Sequence, residues 1–185
     1  KVLILFAHPT FHKSHVNSLL VEGLQAIDGV TFHNLYERYP GFDIDIKHEQ
    51  KLLIQHDCIV FHHPFYWYST PAMLKEWQDK VLERGWAYGI NGDVLKNKLF
   101  FNVITSGGTR QVYTSNKPEQ HSVLELLAPI RQMTALCKMI SLPPFVIHGV
   151  KTIEISEIQD YRNNYIKLLK LIIEDKIRLK EMLLL

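Results

Sequence analysis

The stretch 57-DCIVFHHPFYWYSTPAMLKEWQDKVL-82 decides the fold. Cys58 to Phe61 is a short apolar run. His62 to Tyr68 is an aromatic segment interrupted by Pro64, and from Ser69 the sequence turns helical. Thr70 stands where a helix takes its N-cap. Pro71 stands at the first helical position, where a missing N–H costs nothing. Leu74, Trp77 and Val81 fall on one face, to be set against a sheet or a partner. A strand, a loop of flat side chains and a helix form the arrangement by which α/β proteins present a binding edge at the carboxyl end of a sheet. Phe65, Tyr66, Trp67 and Tyr68 follow one another, and four rings cannot all enter the core from one turn. The expectation is that Pro64 to Tyr68 wall a site for a flat ligand, with an aromatic core cluster as the competing reading.

Working outward, strand and helix alternate along the whole chain. Lys1 to Ala7 is continuously apolar, as in a strand covered on both faces. Ser14 is a candidate N-cap for a helix whose inner face is Val16, Leu19, Leu20, Gly23, Leu24 and Ile27, closed by Asp28-Gly29. Val30 to Tyr36 alternates as a second strand, and a short helix spans Ile46 to Gln55. Asp57 to His62 is the third strand and Pro71 to about Glu83 the helix after it. Leu99 to Thr105 is the fourth strand, ended by Ser106-Gly107-Gly108. A helix over His121 to Met139 is expected to bury Leu124, Leu127, Ala128, the Arg131 stem, Ala135 and Leu136. Pro144 to His148 is the fifth strand. From Ser156 a last helix buries Ile158, Tyr161, Tyr165, Leu168, Leu169 and Ile172. The terminal Leu183, Leu184 and Leu185 pack on the core, cover a dimer seam or fray. Five such alternations with no linker predict one domain over residues 1–185. They fit a flavodoxin-like five-stranded parallel sheet in the order 2-1-3-4-5, with helices on both faces and a ligand site where strands 1 and 3 diverge.

Composition removes several classes of function. The 185 residues suit one domain with a full core, and 46% hydrophobic content is that of an ordinary globular chain. A formal charge of +2, with no clustering of Lys and Arg, gives no electrostatic case for nucleic acid. No apolar run reaches the ~20 residues that span a bilayer, and His8-Pro9 end the first run too early for a signal peptide. Cys58 and Cys137 lie outside any C-x-x-C motif and read as free, buried thiols of a reducing cytoplasm. No metal site is legible. His62 and His63 are adjacent on a strand and point to opposite faces, His12 and His15 have no carboxylate near them, and no H-E-x-x-H occurs. G-x-G-x-x-G, Walker A and G-x-S-x-G motifs are also missing, which argues against dinucleotide-type Rossmann binding, nucleotide hydrolysis and serine hydrolysis.

The predicted topology brings three loops to one edge: residues 8–17, 64–70 and 106–116. The first ends in Ser14-His15-Val16-Asn17 at a helix start, where unpaired N–H groups favour an anion such as phosphate. Ser14 reads equally well as a plain N-cap. The second is the aromatic loop. In the third, Thr105-Ser106-Gly107-Gly108, the paired glycines permit either close approach of a flat ligand or an ordinary tight turn.

Together these residues carry a resemblance. A-H-P at 7–9, S-H-V-N at 14–17, the run from His63 to Val81, R-G-W-A-Y-G at 84–89 and T-S-G-G at 105–108 resemble the flavodoxin-like NAD(P)H:quinone oxidoreductases. LYERYPGFDID at 35–45 and LPPF at 142–145 are similar to the bacterial ancillary flavoproteins of glutathione-regulated potassium-efflux systems. The resemblance implies noncovalent FMN. His8, Ser14, His15, Val16 and Asn17 would hold its phosphate and ribityl chain, and Phe65, Tyr66, Trp67, Tyr68, Thr105, Ser106, Gly107 and Gly108 its isoalloxazine. It implies a homodimer with the site near the seam, hydride transfer from NAD(P)H to FMN, and ping-pong two-electron reduction of a quinone. Tyr88 and Tyr113 would shape the substrate pocket, with Tyr113 and His121 assisting reduction. The alternative it implies is a regulatory subunit of a membrane potassium-efflux transporter, cytoplasmic and peripheral to the inner face of the membrane. On this reading, Trp67→Ala is expected to weaken FMN binding by roughly 1–3 kcal/mol, the worth of a buried apolar side chain.

Overall fold

The structure is a computed structural model that describes residues 1–114 and 120–174. Val2–Phe6 (β1) lies inside the sheet, buried at every position. It pairs in parallel with Val30–Asn34 (β2) on one side and Cys58–Pro64 (β3) on the other. β3 pairs with Leu99–Thr105 (β4), and β4 carries two short strands on its outer edge, Ile140–Ser141 (β5) and Phe145–Ile147 (β6). The order is therefore 2-1-3-4-5 as expected, with the fifth position divided between two strands. Between them lie Leu142, Pro143 and Pro144. A proline has no N–H to give a ladder, so pairing stops there and resumes at Phe145. β3 runs two residues beyond the expected His62 and delivers Pro64 to the edge of the sheet.

Helices cover both faces. His15–Val21 (α1) and Ile155–Glu174 (α7) bury Val16, Leu20, Ile158, Tyr165, Leu169 and Ile172 against Val2, Ile4, Val60, Phe101 and Val103. Tyr161 and Leu168 of the expected inner face are only half-buried. Ile46–Gln55 (α3) and Ala72–Val81 (α4) cover the other face, where Leu53, Met73, Leu74, Trp77 and Val81 meet Leu3, Leu5, Ile59 and Phe61. Leu74 and Trp77 thus face the sheet and not a partner. Val123–Leu126 (α5) and Ala128–Leu136 (α6) complete that layer. No helix among the described residues is long and apolar enough to cross a membrane. Cys58 and Cys137 are both buried.

Four expectations are corrected. β2 stops at Asn34, whose side chain accepts from the Glu37 N–H and starts a helical turn, Leu35–Arg38 (α2). α1 ends at Val21, and Gly23 takes a left-handed φ of 74° before a separate 3-10 turn over Leu24–Ala26. Pro71, not Thr70, is the N-cap of α4. The single helix over His121 to Met139 is two, broken at Leu127 ahead of Pro129. Its inner face is Val123, Leu127, Ile130, Thr134 and Cys137, whereas Leu124, Ala128, Arg131, Ala135 and Leu136 are exposed. Two stripes one residue apart run along this segment, and the stripe without the arginine is the one buried. Leu183 to Leu185, and residues 115–119 of the loop after β4, lie outside the described residues.

Candidate functional site

The carboxyl ends of β1, β3, β4 and β6 release their loops side by side. Around them lies a cavity of about 400 Å³. The first loop contributes His8, Thr10, Lys13, Ser14 and Asn17, the second Pro64, Phe65 and Tyr66, and the third Thr105 and Gly107. Val150 and Lys151 come from the segment after β6.

Asn17 joins these walls. Its Nδ2 donates to Ser14 Oγ at 2.9 Å and to Thr105 Oγ1 at 3.1 Å, so α1 is tied to the end of β4. Its Oδ1 lies 3.2 Å from His62 Nε2 at the end of β3. Asn17 is almost fully buried, so its amide is fixed by partners and not by solvent. Ser14 also accepts from the Asn17 N–H, which makes it both the N-cap of α1 and part of the wall. Thr10 N–H donates to His8 Nδ1, so the proton of the neutral ring sits on Nε2. Burial lowers the pKa of His8, which favours that neutral form. Burial, with smaller contributions from His63 and His8, pushes His62 down to about 3. It therefore meets Asn17 as a neutral imidazole whose Nε2–H donates to Asn17 Oδ1. Of the other predicted residues here, Val16 points into the core and His15 is exposed, and what both present at the helix start is backbone N–H.

The aromatic loop divides in two. Phe65 N–H donates to Thr105 O at 2.8 Å, which sets Phe65 and Tyr66 against the first cavity. Tyr66 and Ser69 then exchange both backbone hydrogen bonds around Trp67 and Tyr68, with φ values of 48° and 63°. Two consecutive positive φ angles are the mark of a type I′ turn, which normally takes Asn and Gly. The turn throws Trp67 outward, 94% exposed, and its side chain lines neither cavity. Tyr68 lines a second cavity of about 300 Å³ with Val112, Tyr113, Gln120, His121 and Leu126.

Tyr113 and His121, far from regular spacing, thus share this second cavity. The Tyr113 hydroxyl lies 2.7 Å from Ser106 Oγ, which also accepts from Gly108 N–H. A Cβ on Gly108 would come within 3.0 Å of the Tyr113 ring, so a side chain there would displace the tyrosine. Tyr88 is half-buried against the core and lines neither cavity. Sequence reading missed Lys13, Lys151, His62 and His148. Lys151 was reachable: it follows the fifth strand at the same carboxyl edge. His148 packs 5.4 Å from the Tyr113 ring, and burial lowers its pKa.

With this geometry in place, the comparisons are specific. A profile of the flavodoxin-like fold matches residues 1–169. The chain is 42% identical over 154 residues, 83% of its length and 84% of the relative's, to the glutathione-regulated potassium-efflux system ancillary protein KefG of Pectobacterium atrosepticum. Among solved structures it resembles general stress protein 14 of Treponema denticola in complex with FMN. That match has TM-score 0.84 and 33% identity, covering 92% of this chain and 98% of the other. It also resembles an NADPH-quinone reductase from P. pentosaceus, with TM-score 0.81 and 29% identity, covering 89% and 95%.

Proposed function

The chain belongs to the flavodoxin-like fold family, and from that premise we propose that it is an FMN-dependent NAD(P)H:quinone oxidoreductase. The observation that carries this reading is the first cavity itself. Its walls carry the two ammonium groups of Lys13 and Lys151, a histidine, the start of α1, and the aromatic residues Phe65 and Tyr66. That donor set fits a phosphate joined to a flat ring. Lys13, Lys151 and His8 Nε2 would hold the phosphate, and Gly107 leaves the backbone open beside the ring. Bound FMN would supply the redox chemistry, accepting a hydride from NAD(P)H and returning two electrons to a quinone.

The protein's own groups orient and protonate. Nicotinamide and quinone would occupy the second cavity in turn, which gives ping-pong order. The Tyr113 hydroxyl would donate to the acceptor oxygen, with Ser106 Oγ holding the phenol in place, and exposed His121 would exchange protons with solvent. A second copy of the chain would cover Val112, which lines this cavity, and Leu124 and Leu136 of α5 and α6, all three large, apolar and exposed. Purified protein mixed with FMN should turn yellow, bleach on NADH or NADPH and recover colour on adding a quinone. Protein that stays colourless after FMN addition would overturn the reading.

The 42% identity to KefG favours a second role for the same fold, as an ancillary subunit at the inner face of the membrane, docked on a potassium-efflux transporter. Co-purification with such a transporter and a change in potassium efflux on its loss would support this. Quinone turnover with efflux unaffected would count against it.

A further inference from the structure

On the face of the sheet covered by α3 and α4, beside the edge strand β2, Glu49 is a carboxylate with no exposed surface. Tyr39 Oη donates to its Oε1 at 2.6 Å and Trp77 Nε1 to its Oε2 at 2.8 Å. His33 Nε2 lies 2.7 Å from Oε1. Burial alone would raise the Glu49 pKa, but the contacts from His33, Tyr39 and Trp77 outweigh it and leave the carboxyl below its ordinary value. These contacts account for His33 and Glu49 as a buried pair. They do not account for His48. Its ring packs 5.9 Å from that of His33, and it makes no side-chain hydrogen bond among the described residues.

We propose that His33, His48 and Glu49 form a binding site for a divalent transition ion of the Zn²⁺ class. One ligand atom from each residue lies within 4.8 Å of the other two. The backbone fixes all three. His33 is held in register with Leu5 across β1 and β2. His48 and Glu49 lie in the first turn of α3, where the Asp45 carboxylate accepts from the His48 N–H at 3.0 Å. Two imidazoles and one carboxylate select a borderline transition ion over Mg²⁺ or Ca²⁺, which favour oxygen donors. Tyr39 and Trp77 supply the outer hydrogen bonds that orient a ligating carboxylate.

On binding, neutral His33 carries its one ring proton on Nδ1, which frees the Nε2 lone pair, and the ion stands between Nε2 and Glu49 Oε1. Ligands at about 2.0–2.2 Å from a tetrahedral ion stand roughly 3.4 Å apart, so the 2.7 Å contact between His33 and Glu49 must open by about 0.7 Å. The 12% exposure of His33 and the half-buried position of His48 leave room for this, and leave a fourth position for water. The ion would clamp β2 to α3 away from both cavities described above, so the proposal stands whether or not the chain is a quinone reductase.

The test is calorimetric titration of the FMN-loaded protein with Zn²⁺, for wild type and His48→Gln, alongside thermal unfolding. Wild type should bind one equivalent per chain and unfold at higher temperature with Zn²⁺. His48→Gln should unfold as wild type does without metal, bind at least about tenfold more weakly and lose the thermal shift. Zinc absorption spectroscopy of the one-equivalent complex supplies a measurement independent of any variant. It should report two imidazole nitrogens and oxygen for the remainder. Undiminished binding by His48→Gln, a different ligand set, or no stoichiometric binding by wild type would each overturn the proposal.

Discussion

The two cavities on the carboxyl edge of the sheet are built by opposite means. Around the first, side chains from three strand ends are joined to one another: Asn17 to Ser14, Thr105 and His62. Around the second, Tyr68, Val112, Gln120 and His121 come from loops and turns, and among the described residues the side-chain hydrogen bond is that of Tyr113 with Ser106. A group retained through every turnover needs donors already in place. A cavity that admits two different substrates in succession benefits from walls that can adjust. On the proposed reading, retention would belong to the first cavity and exchange to the second.

Acid should break the first cavity before the second. His62 and His63 are fully buried, and burial pushes them down to about 3 and about 4. Unfolded histidine titrates near 6.5, so below that pH the unfolded chain takes up protons that the folded chain refuses. Stability is therefore complete above about pH 6.5 and is lost as pH falls from there toward the folded values. The two groups together should cost about 4 kcal/mol between pH 7 and pH 5. Urea unfolding at pH 7, 6 and 5 measures this, and a flat profile would show that the pair is hydrated in solution. Because His62 supports Asn17, FMN should be lost over the same range.

The next effect separates the cavities by substitution. Asn17→Ala removes bonds to Ser14 and Thr105 and strands His62, a loss of about 2–3 kcal/mol, or roughly 30- to 150-fold in FMN affinity. Tyr113→Phe keeps the ring and removes only the hydroxyl. It should leave FMN affinity within about threefold while slowing quinone reduction roughly tenfold or more. Fluorescence titration gives the affinities and stopped-flow absorbance the rates. If both variants lost FMN equally, the division between retention and exchange would fail.

The same contrast explains what could be read from the sequence. Strand order and most of the first cavity follow from strong local signals. Leu99–Thr105 begins and ends where its apolar run does, and Ser14 caps α1 as its residue type suggests. Errors gather where two local signals compete. Around α5 and α6 two amphipathic stripes are offset by one residue, and the choice between them is made by packing against β4 and β5. At Asn34, a side-chain cap ends a strand that alternation alone would have continued. Asn17 to His62 and His33 to Glu49 are contacts between distant segments. Their existence depends on register, which periodicity does not specify. Trp67 lies outside both cavities for a different reason: an aromatic residue at a position with φ of 48° has its direction set by the turn and not by its hydrophobicity.

That turn marks the boundary between the cavities and gives the smallest effect. Trp67 and Tyr68 occupy the two positions of a type I′ turn where Asn-Gly is favoured, and bulky residues there are strained. Replacing both, Trp67→Asn with Tyr68→Gly, should relieve the strain and raise stability by about 1 kcal/mol. The same change strips Tyr68 from the second cavity and leaves Phe65 and Tyr66 at the first. Stability and function should therefore move apart. The urea midpoint should rise, FMN affinity should change by no more than a few-fold, and the KM for quinone should increase. A large loss of FMN with no gain in stability would mean that Trp67, despite its exposed ring, closes over the bound flavin, and the original expectation for this residue would return.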